Sequence, residues 1–108
     1  MHVRVTQLRI IPGKVAEFSQ ALDSLLPAVR KQVGYRGLVV LRAGVEDKPE
    51  ATTISMWQTL ADLRATETNM FYYEALRRLF DCCEGYPIMH EEEVLVSDFV
   101  QARSQQAS

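Results

Sequence analysis

The chain has 108 residues, the size of one domain. Hydrophobic residues make up 47% and charged residues 24%, a balance that excludes an intrinsically disordered chain. The net charge of −2 supplies no basic surplus for binding nucleic acid, and no apolar run approaches the roughly 20 residues of a membrane span. The sequence after Met1 reads directly as a strand with no signal-peptide pattern, so we expect a cytoplasmic protein.

The first predicted element is a strand over residues 2–11. Its alternation places Val3 and Val5 on one face and Leu8 and Ile10 on the other. Both faces of this strand are therefore apolar over part of its length, and a β-bulge that switches the side-chain alternation would account for this.

An amphipathic helix is predicted over residues 14–32, followed by a second strand over 35–45. Apolar residues recur at helical spacing at Val15, Phe18, Leu22, Leu25, Leu26 and Val29. Pro27 lies within this pattern and removes a backbone donor, so we expect a kink or a break there. Gly34 is a suitable residue for the helix stop.

The second half of the chain is predicted to form two more strands and a helical segment. The polar residues 46–50 indicate a turn, and a third strand follows over 51–58. A short helix over 60–66 and a longer one over 70–84 precede a last strand over 88–99. The stripe predicted for the longer helix comprises Tyr73, Leu76, Leu79, Phe80 and Cys83.

The predicted order is β-α-β-β-α-β, which defines an α+β fold of the ferredoxin-like type. The handedness of the crossover connections places both helices on one face of a four-stranded antiparallel sheet. We expect one domain over residues 1–100 and a polar C-terminal tail over 101–108.

The other face of the sheet is also predicted to be apolar. On the second strand, alternation directs Tyr35, Val39, Leu41 and Ala43 to one face and Leu38 and Val40 to the other. Burying a side chain of this size is worth roughly 1.5–3 kcal/mol, so an uncovered face forgoes considerable stabilisation. We therefore expect a homodimer in which two sheets pack face to face.

The two cysteines, Cys82 and Cys83, are adjacent, and a disulfide between sequence neighbours would be strained. No zinc-type spacing of Cys and His is present, so no metal site is expected. We expect two reduced thiols at the end of a helix, one of them buried.

Four segments resemble the antibiotic biosynthesis monooxygenase (ABM) family of the dimeric α/β-barrel superfamily. These are IPGK at 11–14, GYRGL at 34–38, ISMW at 54–57 and LADL at 60–63. The resemblance covers residues 2–99, and its motifs indicate a fold more than an activity.

This resemblance implies a homodimeric barrel with a pocket between the sheet and helices of each protomer. Some family members are monooxygenases that act on phenols or quinols without a tightly bound cofactor, whereas others degrade haem or have no known activity. The expected function is oxidation of a small aromatic metabolite. The alternative is a non-catalytic dimer that binds a small molecule or acts in a stress response.

The resemblance also implies three catalytic residues. Trp57 matches the family's tryptophan at the end of the third strand, and Arg77 matches an arginine on the last helix. Thr53 stands where such members have asparagine, and a threonine hydroxyl can still donate a hydrogen bond.

Four further residues are candidates for binding substrate. Tyr73 lies in the predicted stripe, whereas Phe71 and Tyr72 lie beside it, where they could line an entrance. Tyrosine hydroxyls can bind a polar group of a ligand. His90 is followed by Glu91, Glu92 and Glu93, and a neighbouring carboxylate is the arrangement that poises a histidine as a base.

The haem-degrading members are not matched. They carry an asparagine on the first strand and a tryptophan and a histidine in the last helical region. The corresponding positions are Thr6, Thr66 and Leu76, and residues 59–84 contain no histidine. We therefore expect neither haem nor another tightly bound cofactor.

Overall fold

A computed structural model describes residues 1–100, and the predicted tail at 101–108 lies outside these described residues. The elements are β1 (His2–Ile10), α1 (Val15–Arg30), β2 (Tyr35–Val45), β3 (Lys48–Trp57), α2 (Leu60–Ala65), a 3₁₀ turn (Thr66–Thr68), α3 (Met70–Phe80) and β4 (Cys83–Glu93). All neighbouring strands are antiparallel, in the order β2-β3-β1-β4. The predicted α+β ferredoxin-like fold is confirmed, and the second crossover consists of α2, the turn and α3.

The helices cover one face of the sheet, which we call the helix face. On β1, Thr6, Leu8 and Ile10 are buried on this face, and Thr6 pairs with Thr53 of β3. Val3 and Val5 lie on the opposite face, as the alternation predicts. The helix face, α1 and α3 enclose the core, whose largest fully buried side chains are Trp57, Leu63, Leu79 and Val29.

The opposite face, which we call the open face, carries a continuous row of apolar side chains. Val39, Ile54 and Val5 are cross-strand neighbours on β2, β3 and β1. Leu41 is 48% exposed and Ile88 is 63% exposed on the same face. The predicted apolar character of both faces is therefore confirmed.

The orientation predicted for Tyr35 is wrong. The register between β2 and β3 shifts between Tyr35 and Gly37, so Tyr35 pairs with Trp57 instead of following the alternation of Val39. Its ring contacts the edge of the Trp57 ring, with 5.7 Å between centroids. The bulge thus moves this aromatic side chain from the open face into the core.

The hairpin between β2 and β3 is tighter than the predicted turn at 46–50. Val45 pairs with Lys48, which leaves two residues in the turn and includes Pro49 in β3. Because β1 pairs with β3 only as far as Glu50, Pro49 has a neighbouring strand on one side alone. A proline is tolerated at such a position.

Helix α1 runs from Val15 to Arg30 without a break at Pro27, contrary to the predicted interruption. Pro27 is exposed and lies near the C-terminal end, where few helical hydrogen bonds depend on it. Beyond the helix, Gly34 has φ +79°, and a Cβ atom there would collide with the Asp62 side chain. Within residues 1–100, no helix is both long and apolar enough to cross a membrane.

The last strand lies earlier in the chain than the predicted 88–99. It begins at Cys83, passes an irregularity opposite Gln7 and Arg9, and ends at Glu93. Glu93 pairs with His2 at the start of β1, so the partner strand ends there. Val94 still donates its N–H to the Met1 carbonyl oxygen at 2.8 Å, but residues 95–99, which alternate like a strand, do not form one. Helix α3 ends at Phe80, before the predicted end at 84.

Both cysteines follow α3 and are free, with Cys82 buried and Cys83 half-buried. Burial, and to a lesser extent the neighbouring Cys82, raise the pKa of the Cys83 thiol to about 11. Burial also raises the pKa of Cys82. Because the thiolate is the reactive form, both thiols react slowly near neutral pH.

We expect iodoacetamide to alkylate Cys83 in the folded protein about a hundredfold more slowly at pH 8 than an unperturbed thiol, because the raised pKa leaves few thiolates. The rate should climb as the pH approaches 11, the value near which this thiol ionises. Mass spectrometry of the labelled peptide measures the rate, with the urea-unfolded chain as the control. Equal rates in the folded and unfolded chains would contradict the assigned burial.

Candidate functional site

A cavity of about 240 Å³ lies between the helix face of the sheet and α3. Its apolar wall comprises Leu25, Leu38, Leu76, Leu79, Phe80 and Met89. Its polar or amphipathic wall comprises Arg4, Thr6, Thr53, Ser55, Thr66, Glu67, Tyr72 and Tyr73. A mostly apolar cavity with a few convergent polar groups is the usual form of a small-molecule site.

Hydroxyl groups form the floor of the cavity on β1 and β3. Thr6 and Thr53 are paired residues on adjacent strands, so their side chains lie side by side on the helix face. Ser55, two residues further along β3, accepts a hydrogen bond of 3.0 Å from Trp57 Nε1. The floor therefore presents short polar side chains beneath an otherwise apolar space.

Tyr72 contributes an almost fully buried ring to the wall. Asn69 caps α3 by accepting a hydrogen bond of 3.0 Å from the Tyr72 backbone N–H, which fixes the first turn of the helix. Burial raises the pKa of the Tyr72 phenol to about 12, while the nearby Arg4 guanidinium acts to lower it. The Tyr72 hydroxyl is therefore neutral near pH 7 and can donate a hydrogen bond.

One end of the cavity carries charged groups. Arg4 Nη2 donates to Glu67 Oε1 at 2.7 Å and to Glu91 Oε1 at 3.1 Å. Arg64 Nη2 lies 3.6 Å from Glu91 Oε2 on the outer side. The Arg4 side chain is only 19% exposed, whereas that of Glu67 is 55% exposed. These contacts join β1, the 3₁₀ turn and β4 at the cavity mouth.

Of the three predicted catalytic residues, only Thr53 lines the cavity. Trp57 is 1% exposed and lies behind the wall, where its ring contacts the edge of Tyr72 with 6.4 Å between centroids. Its N–H is already bonded to Ser55. Trp57 is therefore a core residue beside the cavity in this structure, and its catalytic role stays a prediction.

Arg77 lies on the solvent side of α3, away from the cavity. Its guanidinium donates to Glu74 at 3.1 Å, one helical turn before it. A surface pair of this kind contributes little to stability, and its position excludes direct contact with a molecule in the cavity. Arg77 therefore does not line the cavity in this structure, and its catalytic role stays a prediction.

The predicted substrate-binding residues divide into two groups. Tyr72 and Tyr73 line the cavity, but Tyr72 is the buried residue and Tyr73, which the predicted stripe contains, is 52% exposed. Leu76, Leu79 and Phe80 of that stripe pack inward as predicted. Phe71 lies outside the cavity, where Lys31 Nζ is 5.2 Å from the ring centroid. Phe71 therefore does not line the site.

His90 also lies outside the cavity. It pairs with Val5 on the open-face side of β4, and its Nε2 atom is 3.7 Å from Glu92 Oε1. A carboxylate therefore lies near His90, as predicted, but the ring is exposed and lines a surface groove beside the cavity instead of the cavity itself. Among residues 1–100, no group of three or more His, Cys, Asp or Glu side chains could hold a metal ion.

The sequence reasoning missed Arg4 and Glu67. Arg4 alternates with Thr6, Leu8 and Ile10 on the buried side of β1, and a charged residue in such a row was a usable signal. Glu67 gave no signal, because an acidic residue in a short polar segment is ordinary. Only the packing of the 3₁₀ turn against β1 brings the two together.

The fold and cavity define a class: a small α+β protein with a mostly apolar ligand site between a four-stranded sheet and its helices. The sequence model of the family "Antibiotic biosynthesis monooxygenase" matches residues 1–71, about two thirds of the chain. The chain belongs to this family. No curated protein matches it in sequence.

Solved structures share the fold at low sequence identity. A proposed antibiotic biosynthesis monooxygenase of Bordetella bronchiseptica is 18% identical, with a TM-score of 0.73 over 88% of this chain and 97% of that chain. A similarly described protein of Caulobacter crescentus CB15 is 17% identical, with a TM-score of 0.76 over 88% and 90%. SnoaB, a cofactor-independent oxygenase of Streptomyces nogalater, is 14% identical, with a TM-score of 0.73 over 89% and 95%.

Proposed function

We propose that this chain is a monooxygenase that oxidises a small phenol- or quinol-like molecule without a tightly bound cofactor. The observation that supports this proposal most directly is the cavity beside Tyr72. An apolar cavity of about 150 Å³ holds benzene, so a volume of about 240 Å³ suits one or two fused rings. Family membership and the fold shared with the cofactor-independent oxygenase SnoaB support the reaction class.

In the proposed reaction the substrate supplies all the electrons. A deprotonated quinol adds O₂ at a ring C–H carbon to give a ring hydroperoxide, which loses water to leave a hydroxyquinone. One oxygen atom stays on the ring and the other leaves as water, so no external reductant is consumed. The protein has to stabilise the anion and limit access of water to it.

The cavity residues have suitable properties for these two tasks. Thr53 and the neutral Tyr72 hydroxyl can donate hydrogen bonds toward an anionic oxygen. Leu76 and Leu79 provide a wall with low affinity for water. In this proposal Trp57 does not contact the substrate but positions the Tyr72 ring by packing against it. Arg77, Phe71 and His90 take no part in the reaction.

We further propose that the open face is covered by a second copy of this chain. The face has the apolar row Val39, Ile54 and Val5 at its centre. A flat apolar sheet face is self-complementary under a two-fold axis, and the cavity lies on the opposite side of the sheet. We expect this homodimer to be cytoplasmic and to bind no nucleic acid, in keeping with its net charge of −2.

A second candidate is a binding protein without turnover. It is favoured by one observation: the two residues that match the catalytic pattern of the family, Trp57 and Arg77, do not line the cavity. A ligand-binding or stress-response role needs the cavity and the dimer but no reaction. Binding without oxygen consumption would establish it.

We expect the protein to accelerate oxygen uptake by some member of a panel of hydroquinones and naphthalenediols. Leu76→Trp should fill the cavity and lower the catalysed rate by about tenfold or more, because the substrate loses its space. Oxygen consumption measures the rate, and ¹⁸O₂ should place one labelled atom in the product.

Glu74→Trp, on the exposed side of α3, is the matched control and should retain the rate. Circular dichroism of both variants checks that the fold is intact. Uptake no faster than the uncatalysed rate for every panel member would overturn the oxygenase proposal. If Leu76→Trp and Glu74→Trp lowered the rate of oxygen uptake equally, the reaction would not take place in this cavity.

A further inference from the structure

Two charged residues lie where the cavity adjoins a surface groove. Arg4, Glu67 and Met89 line both the cavity and this wider groove, whose other lining residues are Arg64, His90 and Glu91. The ion pair of 2.7 Å between Arg4 and Glu67 therefore lies between the cavity and the groove. A molecule that passes from the groove into the cavity has to pass this pair, which we call the mouth pair.

We propose that the mouth pair is a specificity filter that accepts aromatic molecules bearing a neutral hydroxyl and rejects aromatic carboxylates. The inference rests on the proposed binding of a small aromatic molecule in this cavity. It goes further by naming Arg4 and Glu67 as the residues that select the polar group of that molecule.

The hydrogen-bonding capacity of the pair matches a phenol. The Glu67 carboxylate only accepts hydrogen bonds, and the Arg4 guanidinium only donates them. A phenolic oxygen can donate its proton to Glu67 and accept from Arg4 at the same time. An unsubstituted ring offers neither bond and leaves the mouth pair unchanged.

The charge balance at the mouth disfavours an anion. Arg4 already contacts two carboxylates, Glu67 at 2.7 Å and Glu91 at 3.1 Å, and Arg64 lies 3.6 Å from Glu91. The two arginines and two glutamates thus cancel in formal charge. A ligand carboxylate would add an unbalanced negative charge beside Glu67 and would compete with it for Arg4, whose side chain is only 19% exposed.

The pair can open without dismantling the network. Glu67 belongs to the 3₁₀ turn Thr66–Thr68, and its side chain is 55% exposed. Arg4 keeps its bond to Glu91 when Glu67 swings outward. Thr66 anchors the turn through its hydroxyl, which donates to the Leu63 carbonyl oxygen at 2.7 Å. Movement of one side chain therefore suffices to admit a ligand.

Anaerobic calorimetric titrations with 2-naphthol and 2-naphthoate test the filter independently of any oxidation. We expect the unmodified protein to bind 2-naphthol about tenfold or more tightly than 2-naphthoate. Glu67→Gln should shift this preference about tenfold toward the carboxylate, because it removes the opposing charge and retains an amide of similar shape. Arg4→Gln should weaken 2-naphthol binding about tenfold.

Arg78→Gln is the matched control, because Arg78 is exposed on α3 and lines neither the groove nor the cavity, and it should leave the preference within about twofold. Glu67 is half-exposed, so its variant tests the filter even if Arg4→Gln fails to fold. Equal or tighter binding of 2-naphthoate by the unmodified protein, an unchanged preference in Glu67→Gln, or no binding of either compound at about 1 mM would overturn the inference. Binding as expected without oxygen uptake would leave the filter intact and refute the oxygenase alone.

Discussion

Replacing Trp57 with alanine is expected to lower the free energy of unfolding by about 3–5 kcal/mol. The side chain is 1% exposed, and its ring contacts the edges of Tyr35 and Tyr72. Its removal leaves a void in the core and deprives Ser55 of the N–H that it binds. Since a small domain is stable by only about 5–15 kcal/mol, this loss is a large part of the total.

Urea denaturation followed by circular dichroism measures the effect, at one protein concentration for all variants. Phe71→Ala is the matched aromatic control, because Phe71 is exposed on α3, and it should cost no more than about 1 kcal/mol. A similar midpoint for Trp57→Ala and Phe71→Ala would refute the assignment of Trp57 to the core. Trp57→Phe should lie between the two, since it retains most of the apolar volume.

Placing a glutamate at the centre of the open face, by Ile54→Glu, is expected to convert the proposed dimer into monomers. Ile54 lies between Val5 and Val39 in the apolar row. A two-fold axis would bring the two new carboxylates into the same apolar interface, where burying like charges costs several kcal/mol and weakens association by about a thousandfold or more. Sedimentation velocity at micromolar concentration measures the mass.

Gln20→Glu adds the same charge on the exposed side of α1, remote from the open face, and should remain dimeric. A single-chain mass for the unmodified protein would end the dimer proposal. A dimeric Ile54→Glu would show that the chains associate through another surface. Neither result tests the cavity, which lies on the helix face of the sheet.

In the helical segment before β4, the sequence pattern does not determine which aromatic residue is buried. Three consecutive aromatic residues, Phe71, Tyr72 and Tyr73, begin α3, and helical spacing from either tyrosine reaches leucines at positions 76 and 79. Periodicity therefore permits two stripes that differ by one residue. The docking of α3 against Trp57 selects Tyr72 as the buried member, a contact far away in sequence.

The end of β4 has a similar explanation. The alternation of apolar residues after Glu93 is typical of a strand, yet a strand needs a partner, and β1 begins opposite Glu93 at His2. Conversely, Thr53, which the family resemblance singled out four residues before Trp57, lines the cavity, because alternation along the strand places it on the helix face. The direction of a side chain can thus be predicted from the sequence wherever a single strand or helix determines it.

The amino-acid sequence by itself determined the order of strands and helices, the ferredoxin-like architecture and the apolar character of both sheet faces. These follow from periodicity and turn-forming residues, which act between near neighbours in the chain. Only the tertiary structure decided that Trp57 lies behind the cavity, that Arg77 points to solvent and that Arg4 meets Glu67. Each of these depends on contacts between segments distant in sequence, and packing, rather than local pattern, sets which side chains meet.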